Sequence, residues 1–324
     1  MTPATADAAV LDIGSTRLRY GRGTPRGPVD VRSEPTRADA LTEQVLDAVD
    51  RVRRRSTGGL RGVAVATTGL VDADRGAIVE FDTADGGTVR DLRLAAAVDE
   101  RFSLPTVVEN DCTAAAVGEW AFGAGRGCDS VAYVTFGTGI GGGVVEDGRP
   151  IRGERGYAAE VGLFPVETEG ELWSTGVRGA WEAYCSGRGI PRFAESVLGA
   201  TEDPSRLRTV GDLTAPDVFA AAEAGDAVAE RVLDSVARYN AAGVGAVVNA
   251  YDPGVVAVGG SVALSNPERT LSGIERHLDD YTLADPPAVR LSPLGEDAEL
   301  YGAVASATGV ENGDDRTRVV RDEE

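Results

Sequence analysis

The sequence predicts an α/β protein of two lobes, each a β-sheet with helices, and a cleft between them. Two glycine-rich turns carry most of this expectation: VLDIGSTRLRYG at residues 10–21 and VTFGTGIGGGVV at residues 134–145. Each lies between apolar strands and reads as a hairpin tip, with backbone N–H groups and hydroxyls aimed at one point, as a polyphosphate requires. The turns are more than a hundred residues apart, so each can sit on its own lobe and grip one nucleotide from two sides. After each hairpin, helices alternate with short apolar strands, which is a duplication of architecture rather than of sequence.

The elements follow in order. Residues 7–22 read as the first hairpin and residues 37–55 as an amphipathic helix closed by Ser56-Thr57-Gly58-Gly59. Residues 62–67 (GVAVAT) form a short strand apolar on both faces, the pattern of a buried parallel sheet. A helix over 91–102, a strand over 106–108 and a helix over 111–122 complete the first lobe. The pattern then restarts with a hairpin over 131–136 and 143–146. Residues 176–188 read as helical, with Trp181, Tyr184 and Cys185 on a partly apolar face. Helices over 216–224 and 227–251 follow, the second ended by Asp252-Pro253-Gly254 because proline cannot continue the ladder. Residues 255–258 form a buried strand running into Gly259-Gly260-Ser261, and residues 295–308 a closing helix. The tail over 311–324 is nearly all polar and is expected to be disordered.

Composition narrows the class. At 324 residues and 42% hydrophobic content, the chain can fill about two globular domains. No apolar run approaches the ~20 residues that span a bilayer, and the N-terminus lacks the pattern of a signal peptide. Cys112, Cys128 and Cys185 have no CxxC spacing, so buried thiols in a reducing cytoplasm are expected. The formal net charge is -20, and all 32 basic residues are arginine. Such a surface repels nucleic acid and acidic membranes. It suits molar salt, where the Debye length falls to ~3 Å. A GC-rich genome would explain the missing lysine but not the acidity, so a halophilic origin is the expectation.

Asp12 ends the first apolar strand, before Gly14-Ser15-Thr16-Arg17. A carboxylate there can hold Mg²⁺ through water while the turn meets phosphate oxygens; an ordinary hairpin turn reads the same way. Five glycines lie between Gly137 and Gly143, where close approach and positive φ values suit a pyrophosphate. Val144-Val145 continues as a strand, which disfavours a dinucleotide loop. Asp111, in Glu109-Asn110-Asp111 at a strand–helix junction, can act as a general base or as a plain helix cap. Glu160 and Glu182 are acids in apolar, glycine-containing settings; they can bind sugar hydroxyls or pair with arginines. Gly259-Gly260-Ser261 can approach an adenine or ribose, or simply turn from strand to helix. His277, in a charged run, reads as solvated, and the scattered cysteines make no zinc site.

In this order the motifs resemble the ROK family (repressor, open reading frame, kinase) of sugar kinases, within the actin-like ATPase superfamily of ribonuclease H-like fold. The resemblance runs from Asp12 to about Thr308. The family's DxGxT turn is matched by Asp12 to Thr16, with Arg17 where lysine is frequent. Its END element is matched by Glu109 to Asp111, which implies Asp111 as catalytic base and Asn110 as a sugar-binding amide. Its GTGIGGG loop is present in full, implying phosphate contacts from Gly137, Thr138 and Gly139. The G-x-A-G-E-x-G-H stretch is matched from Gly156 to Leu163 with the sugar-binding glutamate at Glu160. The DP…GG element implies nucleotide contacts at Gly259, Gly260 and Ser261.

The departures fall in one place. Where the family has the zinc motif CxCGxxGCxE, this chain has Trp173, Thr175 and Ala180 for the cysteines, and Leu163 for the histidine. Gly176, Gly179 and Glu182 remain. No zinc is therefore expected, with Trp173, Trp181 and Leu163 packing in its place. Asp82 stands where the family often has a sugar-contacting asparagine.

The resemblance implies an ATP- and Mg²⁺-dependent hexose kinase, glucose favoured. N-acetylglucosamine, N-acetylmannosamine, mannose or fructose are alternative acceptors, and a non-catalytic sugar sensor is the alternative class. A small lobe of residues 1–112 with 298–312, a large lobe of 113–297 and a charged tail of 313–324 are expected. So is a cytoplasmic homodimer without nucleic-acid or membrane partners.

Overall fold

A computed structural model describes residues 7–309, so the expected disorder of the tail lies outside the described residues. The first half runs β1 (Asp7–Ile13), β2 (Arg17–Thr24), β3 (Gly27–Pro35), α1 (Leu41–Arg53), β4 (Leu60–Thr67), β5 (Leu70–Asp72), β6 (Ala77–Asp82), β7 (Thr88–Leu92), α2 (Leu94–Phe102), β8 (Thr106–Asn110) and α3 (Asp111–Phe122). The second half begins with β9 (Ser130–Phe136), β10 (Ile140–Glu146), β11 (Arg149–Pro150), β12 (Trp173–Ser174) and β13 (Val177–Arg178). Helices α4 (Trp181–Cys185), α5 (Gly189–Gly199), α6 (Ala215–Glu223) and α7 (Ala227–Tyr251) follow. The chain closes with β14 (Val255–Gly259), α8 (Ser261–Ser265), α9 (Pro267–Leu278), β15 (Ala288–Leu291) and α10 (Ala298–Thr308).

Two five-stranded sheets repeat one scheme, ordered β3-β2-β1-β4-β8 and β11-β10-β9-β14-β15. In each, the leading strand pairs antiparallel with the next and parallel with a later one. The duplication expected from the two hairpins is therefore one of topology, strand for strand. Between Asp7 and Asp12, strand β1 is apolar on both faces because both are covered. Leu11 and Ile13 face one core with Val63, Val65 and the α1 residues Leu41, Val45 and Val49. Val10 and Ala64 face the other way, onto Leu300, Ala303 and Val304 of α10. The second sheet packs Ala132, Val134, Phe136, Val256 and Val258 against Trp181 and the helices α5 to α7 and α9. Its opposite face meets α3 through Ala115 and Ala116.

Helices α3 and α10 thus stand side by side between the sheets. Their backbones touch: a Cβ on Gly302 would fall 1.7 Å from the Ala114 carbonyl oxygen. The long helix α7 is capped by the Asp226 side chain, which accepts from the Val228 and Ala229 N–H groups. It ends at Asp252, whose φ of 44° leads into Pro253.

Several expectations are corrected. The helix over 91–102 begins only at Leu94, because Thr88–Leu92 pairs with Ala77–Asp82 as an antiparallel strand. Residues 176–188 are not one helix: the β12–β13 hairpin occupies the start, and an extended Ser186 separates α4 from α5. The second hairpin's return strand begins at Ile140 rather than Gly143. Residues 295–297 form a 3₁₀ turn ahead of α10. Cys185 is buried, but Cys112 and Cys128 are only half-buried. His277 is half-buried in the last turn of α9. Trp181 packs in the core, whereas Trp173 is 51% exposed.

Candidate active site

Parallel pairing sets where the chemistry-bearing residues fall. Ile13 lies opposite Thr67, and Thr67 opposite Asn110, so β1, β4 and β8 end on one edge of the first sheet. That edge, at the carboxyl ends of parallel strands, is where open α/β sheets bind ligands. It brings Asp12 and the Asn110–Asp111 pair together.

Asn110 takes the helix-capping duty: its Oδ1 accepts from the N–H groups of Cys112 at 3.0 Å and Thr113 at 3.1 Å. Asp111 is thereby not the cap. It keeps one local bond, accepted at 2.8 Å from the Cys112 N–H. Burial pushes its carboxyl up to about 6, with the Asp12 and Glu160 charges adding to the rise and Cys112 opposing it. Such a group is mostly ionised at neutral pH yet basic enough to accept a proton.

On the acceptor side, Asn110 lines a cavity of about 480 Å³ with Glu109, Thr113, Arg152 and the loop from Gly153 to Tyr157. Glu109 is buried and accepts from Arg152 Nε at 2.7 Å, tying that loop to β8. Its other oxygen accepts from the Asn110 N–H at 3.2 Å. Glu160 is exposed and follows Ala159, whose φ is 61°. Although the residue reaches solvent, partial desolvation of its carboxyl and then the neighbouring Glu182 charge raise Glu160 above its usual range. Glu182 directs its carboxylate to the protein: Oε2 accepts from the Ile140 N–H at 2.8 Å and Oε1 from Ser174 Oγ at 2.6 Å. The alternative of an arginine partner gives way to a brace for the glycine-rich turn. Asp82 lies at the end of β6, exposed, where it accepts from Thr88 Oγ1 at 3.1 Å.

On the donor side, Asp12, Gly14, Thr16 and Arg17 share a cleft of about 340 Å³ with Tyr133, Gly260, Ser261 and Glu299. The first tip is fixed by a Gly14 N–H to Arg17 carbonyl bond of 2.9 Å and by Thr36 Oγ1 on the Gly14 carbonyl at 2.7 Å. Ser15 is half-buried beside them, and Arg17 Nε rests on Ser33 Oγ at 2.7 Å. Thr138 and Ser261 line an adjoining cavity of about 320 Å³ with Arg188, Thr214 and Asn266. In the second tip, the Gly137 N–H bonds the Gly139 carbonyl at 2.9 Å, and the Gly187 N–H bonds the Gly137 carbonyl at 2.8 Å. Gly259 ends β14 against Tyr133.

Most of the glycine run lies against the protein itself. None of its five members adopts a positive φ. A Cβ at Gly143 would lie 2.2 Å from the Cys112 carbonyl, and one at Gly141 would lie 2.6 Å from Cys112 Sγ. Those glycines let β10 lie directly on the first turn of α3, and only Gly137 has an open face.

Asp12 accepts from Arg19 Nε at 2.8 Å, and the same guanidinium meets Asp297 at 3.0 Å and Glu299 at 3.2 Å. Burial raises the Asp12 carboxyl, and burial together with the Asp12 charge raises Glu299 well above the usual carboxylate range. Acid is in excess over base, which fits a divalent cation at this end of the cleft. Among the described residues no group of three or more His, Cys, Asp and Glu is set to hold a metal unaided. A hydrated Mg²⁺ needs only one or two carboxylates plus water and phosphate.

Arg19 and the Glu109–Arg152 pair went unread in the sequence. The hairpin register could have found the first, since a tip at residues 14–16 sets Asp12 opposite Arg19. Glu299, 280 residues downstream of Arg19, leaves no local signal.

Comparison with known proteins shows the family. The ROK family matches residues 10–309. A glucokinase of Halalkalibacterium halodurans is 33% identical over 309 residues, covering 90% of this chain and 92% of that protein. The crystal structure of a ROK hexokinase from Thermus thermophilus superposes with a TM-score of 0.79 at 31% identity, covering 93% and 97% of the two chains. A ROK family glucokinase from Streptomyces griseus, solved in complex with glucose and AMPPNP, gives 0.74 at 30% identity, covering 93% and 99%.

Proposed function

The chain belongs to the ROK family, and we propose that it is an ATP-dependent hexose kinase with glucose as favoured acceptor and Asp111 as general base. One observation carries the mechanism: Asp111, relieved of capping by Asn110, has its carboxyl lifted to about 6 on the sheet edge that also presents Asp12. Asp111 takes the proton of a sugar hydroxyl, the 6-OH of glucose, as that oxygen attacks the γ-phosphorus and the bond to the ADP oxygen breaks. A positioned base contributes ~10²–10⁴-fold, and alignment and charge stabilisation supply the remainder.

Asn110 and Glu160 orient the sugar, Glu182 contributes through the turn it braces and the charge it sets beside Glu160, and Asp82 is assigned to the same side by family position alone. Gly14, Ser15, Thr16, Arg17, Gly137, Thr138 and Gly139 face the phosphates, and Gly259, Gly260 and Ser261 the nucleoside. Asp12 holds Mg²⁺ through water; when bound, the ion offsets charge on the phosphate oxygens. Residues 173–182 work without zinc in this reading. Of the described residues, 7–112 with 298–309 form the small lobe and 113–297 the large one, in a cytoplasmic homodimer. The charge of -20 marks adaptation to a salt-rich interior.

Leu163 supports a second acceptor class. It packs at the border of the second core and offers an apolar surface to the methyl of an N-acetylated hexose. A coupled ADP assay with glucose, mannose, fructose, N-acetylglucosamine and N-acetylmannosamine, at low and molar KCl, separates the two. The highest kcat/KM is expected with glucose, and activity and Tm should rise with KCl. A folded protein that releases no ADP with any sugar in either salt would refute the kinase reading.

A further inference from the structure

Arg19 offers each of its three guanidinium nitrogens to a different carboxylate. Nε meets Asp12 Oδ2 at 2.8 Å, Nη1 meets Asp297 Oδ1 at 3.0 Å and Nη2 meets Glu299 Oε2 at 3.2 Å. These partners come from β1, from the 3₁₀ turn before α10 and from the first turn of α10. The side chain is 21% exposed and itself lines the donor cleft, beside Gly14, Thr16 and Ser261. A planar fork of fixed geometry that engages three carboxylates locks their mutual positions, which a single ammonium group cannot do. Because Oδ2 of Asp12 is held by Arg19, Oδ1 is the oxygen left for the cleft that Asp12 lines.

We infer that Arg19 is a positioning residue for the donor half of the reaction: it fixes the Asp12 carboxylate and offsets acid charge that the incoming triphosphate would otherwise meet. This rests on the phosphoryl-transfer reading. Removing the guanidinium leaves Asp12 and Glu299, which line the cleft, facing an anionic ligand without the cation that offsets them, and removing Glu299 as well restores part of the balance.

The test uses the full chain as wild type, Arg19→Gln, Arg19→Lys, Glu299→Gln and the double variant Arg19→Gln/Glu299→Gln. Calorimetric titration with AMPPNP and Mg²⁺ at about pH 9, above the raised range of Glu299 so that its charge is present, reads binding directly, and steady-state assays at the same pH read KM for MgATP and for sugar. Arg19→Gln should weaken nucleotide binding about tenfold, about 1.4 kcal/mol, with sugar KM within about twofold. Arg19→Lys should fall between, and adding Glu299→Gln should recover most of the loss. A merely structural role would lower Tm without that recovery. Unchanged AMPPNP affinity in folded Arg19→Gln, beside an active wild type, overturns the inference alone. Should Arg19→Gln not fold, Glu299→Gln decides: affinity tightened about threefold supports the inference, and unchanged or weakened affinity overturns it. A wild type that binds no nucleotide overturns the kinase reading together with this inference.

Discussion

Replacing Asp111 by asparagine should abolish most of the turnover and, at the same time, make the protein more stable. The carboxyl titrates at about 6 in the fold against an ordinary value of 3.8. Its folded form therefore prefers the neutral state, and the penalty for ionising it grows as pH rises from 3.8 to 6. Above pH 6 the penalty is complete, at about 3 kcal/mol for a shift of this size. At pH 4.5 only about 1 kcal/mol of it remains, and well below 3.8 there is none. Asparagine carries no charge and its Oδ1 can keep the bond from the Cys112 N–H. At pH 7.5 the variant should melt several degrees higher than wild type, given about 2 °C per kcal/mol in a chain of this size. The gap should shrink to about a third of that at pH 4.5. Turnover should fall ~10²–10⁴-fold with sugar binding retained. Thermal unfolding followed by circular dichroism at the two pH values, beside a coupled kinase assay, measures both halves. A variant that melts below wild type at pH 7.5, or that keeps wild-type kcat, would refute the assignment of a strained, catalytic carboxylate.

The acid limb of kcat/KM should show an apparent pKa near 6, because protonated Asp111 cannot accept the sugar proton; a limb at 4 or below would contradict it. Gly302→Ala should destabilise the protein by about 1–3 kcal/mol or more in chemical denaturation, since the new methyl meets the Ala114 carbonyl. Arg152→Ala should leave the buried Glu109 carboxylate unpaired and cost about 1–3 kcal/mol. It should raise sugar KM more than KM for MgATP, because Glu109 supports the Asn110 backbone; equal effects on both would speak against that coupling.

Much of this was legible in the sequence, for reasons that differ by element. The helix over 227–251 is written in its capping aspartate, its apolar spacing and its terminal Asp-Pro. The paired hairpins are written in their glycine tips, and they lead directly to the shared topology of the two sheets. Strands β5 and β7 leave weaker marks, since the β7 segment TVRDL has no buried residue. Helix α9 was legible but went unread: Pro267 opens it, and Thr270, Gly273, Ile274 and Leu278 are buried at helical spacing. At the site, the spacing of Glu109-Asn110-Asp111 names the candidates but not which residue caps the helix. That is settled by the Asn110 side chain folding back onto the Cys112 and Thr113 N–H groups. The glycines of residues 137–143 were legible as a need for close approach. What approaches most of them is the protein itself, in Cys112, Val161 and Glu182. Ion pairs such as Arg19 with Glu299 depend on long-range folding and have no local trace.

The bare-backbone seam between Ala114 and Gly302 has one further consequence. Helix α3 is packed at once on α10, β8, β9 and β10, so elements of both sheets bear on it. Asp111 is the first residue of that helix, so its backbone is anchored from both halves of the molecule at once.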